Sequence, residues 1–255
     1  MQKREDFLLI FLHGFLGNSH DWVDIINSNL NHYKSLAIDL PGHGKFSVMD
    51  DKEIYTEEFL LNYLNSIIKP FGSKKIILIG YSLGARAALS FACNYPQLVH
   101  ALVLESGTAG IKDKNERDKR IEQDNILVNK IKNNYNNFIK DWYNSPIFYS
   151  LNQNNKLKEL LINKRSNNNV NEVSKLLIGF SQGIMTPIWD NLINLSFPVL
   201  LITGELDIKY TEINKRMSNL LQNSEHVVIK EAGHIPHFEN KEVFINKLDI
   251  FLETL

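Results

Sequence analysis

The densest chemical signal in the chain is Gly80-Tyr81-Ser82-Leu83-Gly84, a serine with a glycine two residues away on each side. The apolar run Lys75–Ile79 precedes it and the Ala/Leu-rich stretch Leu83–Cys93 follows, so the pattern predicts a strand, a tight turn and a helix. A serine on such a turn sits on strained backbone and needs small neighbours, which Gly80 and Gly84 supply. Its hydroxyl then lies at a helix N-terminus, where free N–H groups and the dipole favour negative charge. Serine becomes reactive there only beside a base, and the base needs an orienting carboxylate.

Of the eight histidines, His234 stands in Glu231-Ala-Gly-His-Ile-Pro-His237, past the last predicted strand and before the last predicted helix. His237 is its rival and reads as a loop residue. For the acid, Asp207 in Thr203-Gly-Glu-Leu-Asp-Ile-Lys209 follows the run Val199–Ile202. Glu205 is the rival; the glycine–acid turn aims Asp207 at the His234 loop. Negative charge developing on a substrate oxygen needs two backbone N–H donors. Leu83 supplies one and Phe15, in His13-Gly14-Phe15-Leu16-Gly17, the other. His13, Asp39 and His43 read as groups that hold loops in shape.

These residues need a frame. Six apolar runs, Phe7–Leu12, Ser35–Ile38, Lys75–Ile79, Ala101–Leu104, Val199–Ile202 and Val227–Ile229, read as strands covered on both faces. Helix-length segments such as Glu53–Ile68, Leu83–Cys93 and Lys241–Leu252 lie between or after them. This alternation predicts an α/β fold, a mostly parallel sheet with helices on both sides. Residues 1–107 and 193–255 carry the pattern and form the expected core. Residues 108–192 break it: no glycine occurs from Ile111 to Ile178, and 17 of the 30 asparagines fall in 108–192. That stretch reads as a helical cap inserted between the serine and the acid, sitting over the edge of the sheet. Trp142, Tyr143 and Phe148 make it too aromatic for disorder.

Composition removes other classes. With 28 Lys plus Arg against 29 Asp plus Glu, the net charge of −1 gives no pull toward nucleic acid or anionic membrane. No apolar run reaches the ~18 residues of a membrane span. The opening Met1-Gln-Lys-Arg-Glu-Asp6 runs straight into a strand, leaves no room for a signal peptide and predicts a cytoplasmic protein. A single cysteine, Cys93, makes no internal disulfide. No cluster has metal-ligand spacing, and the glycines form no dinucleotide turn, so neither metal nor cofactor is expected. Oligomeric state is not legible.

The serine–acid–histidine order with an intervening insertion resembles the α/β-hydrolase fold. Within it the chain resembles the family of 2-succinyl-6-hydroxy-2,4-cyclohexadiene-1-carboxylate synthases of the menaquinone pathway. The segments that carry this are Gly80–Arg86, Glu105–Ile111, Glu116-Arg117 with Arg120, Trp142–Phe148 with Ser150-Leu151, Arg165–Asn169, Gly183–Trp189 and Gly204–Lys209. The resemblance implies a lyase with Ser82, Asp207 and His234 as catalytic residues. Its substrate would be a small tricarboxylate, held by Arg86, Arg120 and Arg165, with Trp142 and Tyr81 lining the same cavity. Arg86 is also one helical turn beyond Ser82, which points it toward the cavity mouth. Arg117 is the alternative to Arg120. The implied reaction expels pyruvate, with Ser82 as a base. The alternatives are a hydrolase with Ser82 as nucleophile and a non-catalytic receptor. Two positions depart from the family pattern: Ala85 stands where a second glycine is usual, and Ile235 where an asparagine commonly follows the histidine.

Overall fold

The computed structural model describes residues 6–28, 30–46, 54–72 and 74–255. Six strands form one sheet in the order β2-β1-β3-β4-β5-β6, every pair parallel. They are β1 (Phe7–Leu12), β2 (Lys34–Ile38), β3 (Lys75–Tyr81), β4 (Ala101–Glu105), β5 (Val199–Gly204) and β6 (Ser224–Ile229). All six expected strands are present. The edge strand β6 starts earlier than the apolar run because Ser224, Glu225 and His226 pair with β5 although polar.

The continuous apolar character of the strands follows from burial on both sides. Leu8, Ile10 and Leu12 of β1 join one core cluster, with Ile76, Leu78, Leu102, Leu104 and Leu201. Phe7, Leu9 and Phe11 join a second on the opposite face, with Ile77, Ile79, Val103 and Ile202. The first face is covered by α2 (Glu57–Ile68), α3 (Leu83–Asn94) and Met217 of α8 (Ile208–Ser218). The second is covered by the short α1 (Val23–Ile26) and by α10 (Lys241–Glu253). Of the expected helix Glu53–Ile68, Glu53 lies outside the described residues. Helix α2 starts at Glu57, where the Thr56 hydroxyl accepts the Phe59 N–H at 3.2 Å and caps the free end.

Between β4 and β5 the chain forms α4 (Lys114–Asn133), α5 (Tyr135–Tyr143), a kinked 3-10 segment Pro146–Gln153, α6 (Asn155–Arg165) and α7 (Val170–Gly179). The asparagine richness has a structural use here. Asn134, Asn154 and Asn169 each accept a backbone N–H at the start of α5, α6 and α7. These helices lie toward the carboxyl ends of the strands, where Arg120, Trp142 and Arg165 share one cavity with Ser82 and His234. The reason is topological, since the insertion leaves β4 and returns to β5, which are neighbours inside the sheet. Its returning arm packs back into the first core cluster through Phe180, Met185, Ile188, Trp189 and Leu192. Trp189 Nε1 donates to the Gly110 carbonyl at 2.7 Å, tying that arm to the outgoing one. Among the described residues no helix is long and apolar enough to cross a membrane.

Candidate active site

The turn after β3 is built by close approach. A Cβ on Gly80 would lie 2.4 Å from the Gly84 carbonyl oxygen, and one on Gly84 would lie 2.2 Å from that of Leu12. Both positions therefore exclude any larger residue. Ser82 itself has φ 50°, a left-handed conformation costly for a residue with a side chain. Leu16, Ser106 and Glu231 share this feature, and all four follow a strand's carboxyl end, where strain clusters around the site. Ala85 is accommodated by another glycine: a Cβ on Gly107 would sit 2.8 Å from the Ala85 methyl group.

Three elements bring a hydrogen-bonded line together. His234 Nε2 accepts from Ser82 Oγ at 3.1 Å, and His234 Nδ1 donates to Asp207 Oδ2 at 2.6 Å. Asp207 and His234 are buried. Glu205 instead points back, accepting the Glu231 N–H. The His234 loop is clamped on both sides, because the Glu239 carboxylate accepts the N–H groups of Gly233 and Ile235, each at 2.9 Å. Glu239 ends the short α9 (Pro236–Glu239), a contact the sequence did not announce. His237 turns away from Ser82 and serves the fully buried Glu105, which accepts its ring Nδ1–H at 2.8 Å and its backbone N–H at 2.9 Å.

The loop after β1 places Phe15 beside Ser82 in the wall of one cavity. Neither the Phe15 nor the Leu83 N–H is taken up by a protein acceptor among the described residues. Two neutral imidazoles shape this loop. His13 Nε2 accepts the Leu40 N–H and its Nδ1 donates to the Gly14 carbonyl. His43 Nε2 accepts the Leu16 N–H and its Nδ1 donates to the Pro41 carbonyl. Burial lowers both pKa values, that of His43 to about 3, and a proton on either ring would oppose a proton on the other. Asp39 holds the same region by accepting the N–H groups of Ser19 and Lys45.

A cavity of about 210 Å³ opens above Ser82 and His234. Its lining includes Tyr81, Arg86, Arg120, Trp142, Arg165 and Ile235, so every residue expected to face substrate reaches it. Trp142 meets Phe15 and Phe148 edge to face at 5.6 and 5.7 Å, and Phe148 abuts the His234 ring at 5.8 Å. These rings, with Ile235, set apolar surface around the His234 imidazole in the cavity wall. Arg117 is elsewhere, donating to the Ile111 and Lys112 carbonyls.

The three arginines are not alike. Arg86 is 6% exposed and donates to the Phe180 carbonyl at 2.8 Å, and its guanidinium lies 5.1 Å from the Phe180 ring centroid. No carboxylate among the described residues pairs with it. Burial, with Arg120's charge added, lowers its pKa to about 10. Arg120 donates to Asp124 at 2.8 Å one turn along α4. Arg165 is engaged on both fork nitrogens by Asp21, at 2.7 and 2.8 Å, with Tyr143 at 3.3 Å on its Nε. Burial alone would lower the Arg165 pKa, but Tyr143 and Asp21 hold it raised. Sequence reasoning missed Asp21, Gln182, Lys209 and Tyr210, although Lys209 closes the segment that carries Asp207. Among the described residues no group of three or more His, Cys, Asp or Glu side chains is placed to hold a metal.

Residues 8–241 match the family model of the alpha/beta hydrolase fold. The 2-succinyl-6-hydroxy-2,4-cyclohexadiene-1-carboxylate synthase of Photorhabdus laumondii is 31% identical, the alignment covering 96% of this chain and 84% of that protein. The solved structure of MenH from S. aureus superposes with a TM-score of 0.93 at 30% identity, covering 98% of this chain and 94% of the other. An esterase from Thermogutta terrifontis has a TM-score of 0.85 at 22% identity, over 98% of this chain and 90% of that one, which speaks to the fold alone.

Proposed function

This chain belongs to the α/β-hydrolase fold family and, within it, to the 2-succinyl-6-hydroxy-2,4-cyclohexadiene-1-carboxylate synthases, and from that premise we propose how its cavity works. The enzyme is a lyase. It eliminates pyruvate from 2-succinyl-5-enolpyruvyl-6-hydroxy-3-cyclohexene-1-carboxylate and leaves the cyclohexadiene product. In this reading residues 1–107 and 193–255 are the catalytic core and 108–192 the cap.

Ser82, His234 and Asp207 act as one base. His234 Nε2 takes the Ser82 proton, and Asp207 steadies the imidazolium that results. The Ser82 alkoxide removes the ring proton at C2, next to the succinyl ketone. The C2–H electrons form the C2–C3 double bond and the C3–C4 pair shifts to C4–C5. The C5–O bond then breaks, and its electrons leave with enolpyruvate. His234 returns its proton to the leaving group, which becomes pyruvate. Phe15 and Leu83 donate their N–H groups to the ketone oxygen as charge builds there. Arg86 and Arg120 bind carboxylates. Arg165, already engaged by Asp21, contributes its charge and braces the cap. Trp142 and Tyr81 shape the ring site.

The observation that carries this reading is the hydrogen-bonded line opening beside Arg86, a buried guanidinium with no acid of its own. Such a charge is costly to bury unless an anionic ligand arrives to meet it. A neutral ester would leave it unmet. The test is to follow pyruvate release from the enolpyruvyl adduct by purified protein in oxygen-18 water. We expect stoichiometric pyruvate, no label in the ring product and no acyl group on Ser82. Rapid ester hydrolysis through a trappable acyl-Ser82, without pyruvate, would falsify the lyase reading in favour of a hydrolase.

A further inference from the structure

The catalytic cavity is small for this substrate. At about 210 Å³ it falls below the ~300–1,000 Å³ of ordinary small-molecule sites, yet it would have to take a ring, an enolpyruvyl group and a succinyl arm. It does not end at its wall. Arg120, Gln123, Gln182 and Lys209 line it on one side and a second chamber of about 490 Å³ on the other. The second chamber lies between the start of α4 and α8. Gln182 is set in this partition by donating to the Tyr210 hydroxyl at 2.6 Å.

The charges make the same point. Three carboxylates call for three cations, but Asp21 occupies the Arg165 fork and Asp124 shares Arg120. The outer chamber holds Lys119, Lys209 and Arg216, none with an acidic partner among the described residues. The Arg216 guanidinium lies 4.9 Å from the Trp189 ring centroid, which fixes it over an apolar floor. Of the other charges there, Lys112 pairs with Asp190, and Asp113 accepts the Glu116 N–H to cap α4 but keeps its negative charge. Glu116 also faces the chamber and sets a limit on how many anions it can take.

Resting on the synthase reading, we propose that this outer chamber is the subsite for the carboxylate at the end of the succinyl arm. Lys209 grips it at the partition, and Lys119 and Arg216 grip it beyond. The reacting ring stays inside with Ser82, while the flexible arm threads past Gln182. The subsite would therefore select substrates by the length of an acid-tipped side chain.

The test uses the intact protein and the double substitution Lys119→Glu/Arg216→Glu, with Lys156→Glu, exposed on α6 and outside the lining of both chambers, as control. Both substituted side chains are at a chamber rim, and unfolding midpoints check that the fold is kept. We expect KM for the enolpyruvyl adduct to rise tenfold or more, the loss lying in KM and not in kcat, with a weaker dependence on salt. Binding of succinate alone, measured by calorimetry, should be lost in the double variant and kept in the control. Unchanged KM together with unchanged succinate binding overturns the subsite. Should the parent protein bind succinate through Lys119 and Arg216 yet release no pyruvate, the subsite stands and the synthase reading falls.

Discussion

The two walls of the cavity over Ser82 and His234 are built by different means. The core wall, carrying Ser82, Leu83, Phe15 and His234, is fixed by backbone: parallel register, glycines at 80 and 84 packed too close to backbone to admit a Cβ, and four strained turns at strand ends. The cap wall, carrying Arg120, Trp142, Phe148 and Arg165, is fixed by side chains. Asp21 reaches from the core to Arg165, Asn168 donates to the Leu16 carbonyl, and the aromatic rings interlock. Backbone construction holds reacting atoms to a fraction of an ångström. Side-chain construction allows the cap to vary with the substrate while the chemistry stays put.

If that contrast is right, substitutions in the core wall should abolish turnover without loosening the molecule. Ser82→Ala and His234→Ala should each lower kcat by about 10³-fold or more, and the double variant should be little worse than either. Single-turnover assays beside unfolding curves would check this. Fully additive losses would mean the two do not act as one base.

The cap wall should fail in the opposite way. Asp21→Asn leaves the 4%-exposed Arg165 guanidinium without its charge partner, at a cost of about 3–5 kcal/mol in stability. The cap should loosen first, seen as faster hydrogen exchange in α5 and α6 than in β3. Uniform loosening of cap and sheet would erase the distinction between the walls.

Arg86 stands where the walls meet and sharpens the comparison. Arg86→Met keeps the length but removes a buried charge that has no acid beside it. We expect kcat/KM to fall about ten- to hundredfold while the unfolding midpoint rises. A variant that loses stability would show that the Phe180 carbonyl and ring satisfy the charge in the absence of ligand.

An effect confined to acid pH concerns His43, which shapes the Phe15 loop. Its folded pKa, about 3, lies below the 6.5 of the free side chain, so the unfolded chain binds the extra proton first. Its contribution to stability is intact above pH 6.5, declines as pH falls through that value, and is fully lost below about 3. His43→Gln, which can still accept the Leu16 N–H, should flatten the acid side of the stability profile. An unchanged profile would assign the acid sensitivity to other groups.

The sequence by itself determined the frame and the hydrogen-bonded line of Ser82, His234 and Asp207. Apolar runs without alternation specify strands buried on both faces. Glycine at 80 and 84 specifies a turn that nothing larger can make, and short segments after strands place Ser82, Asp207 and His234 at one end of the sheet. These are local signals, because strand, turn and cap preferences are set within a few residues. The asparagines of the insertion were visible but not their use, since an N-cap is recognised only once the helix it starts is known. Tertiary structure alone decided the rest. It paired Arg165 with Asp21, 144 positions apart, left Arg86 without an acid, gave Glu239 the His234 loop and put Lys209 on a partition between two chambers. Charge pairing depends on distance and burial in the folded chain, and neither quantity is written in the spacing of charged residues along it.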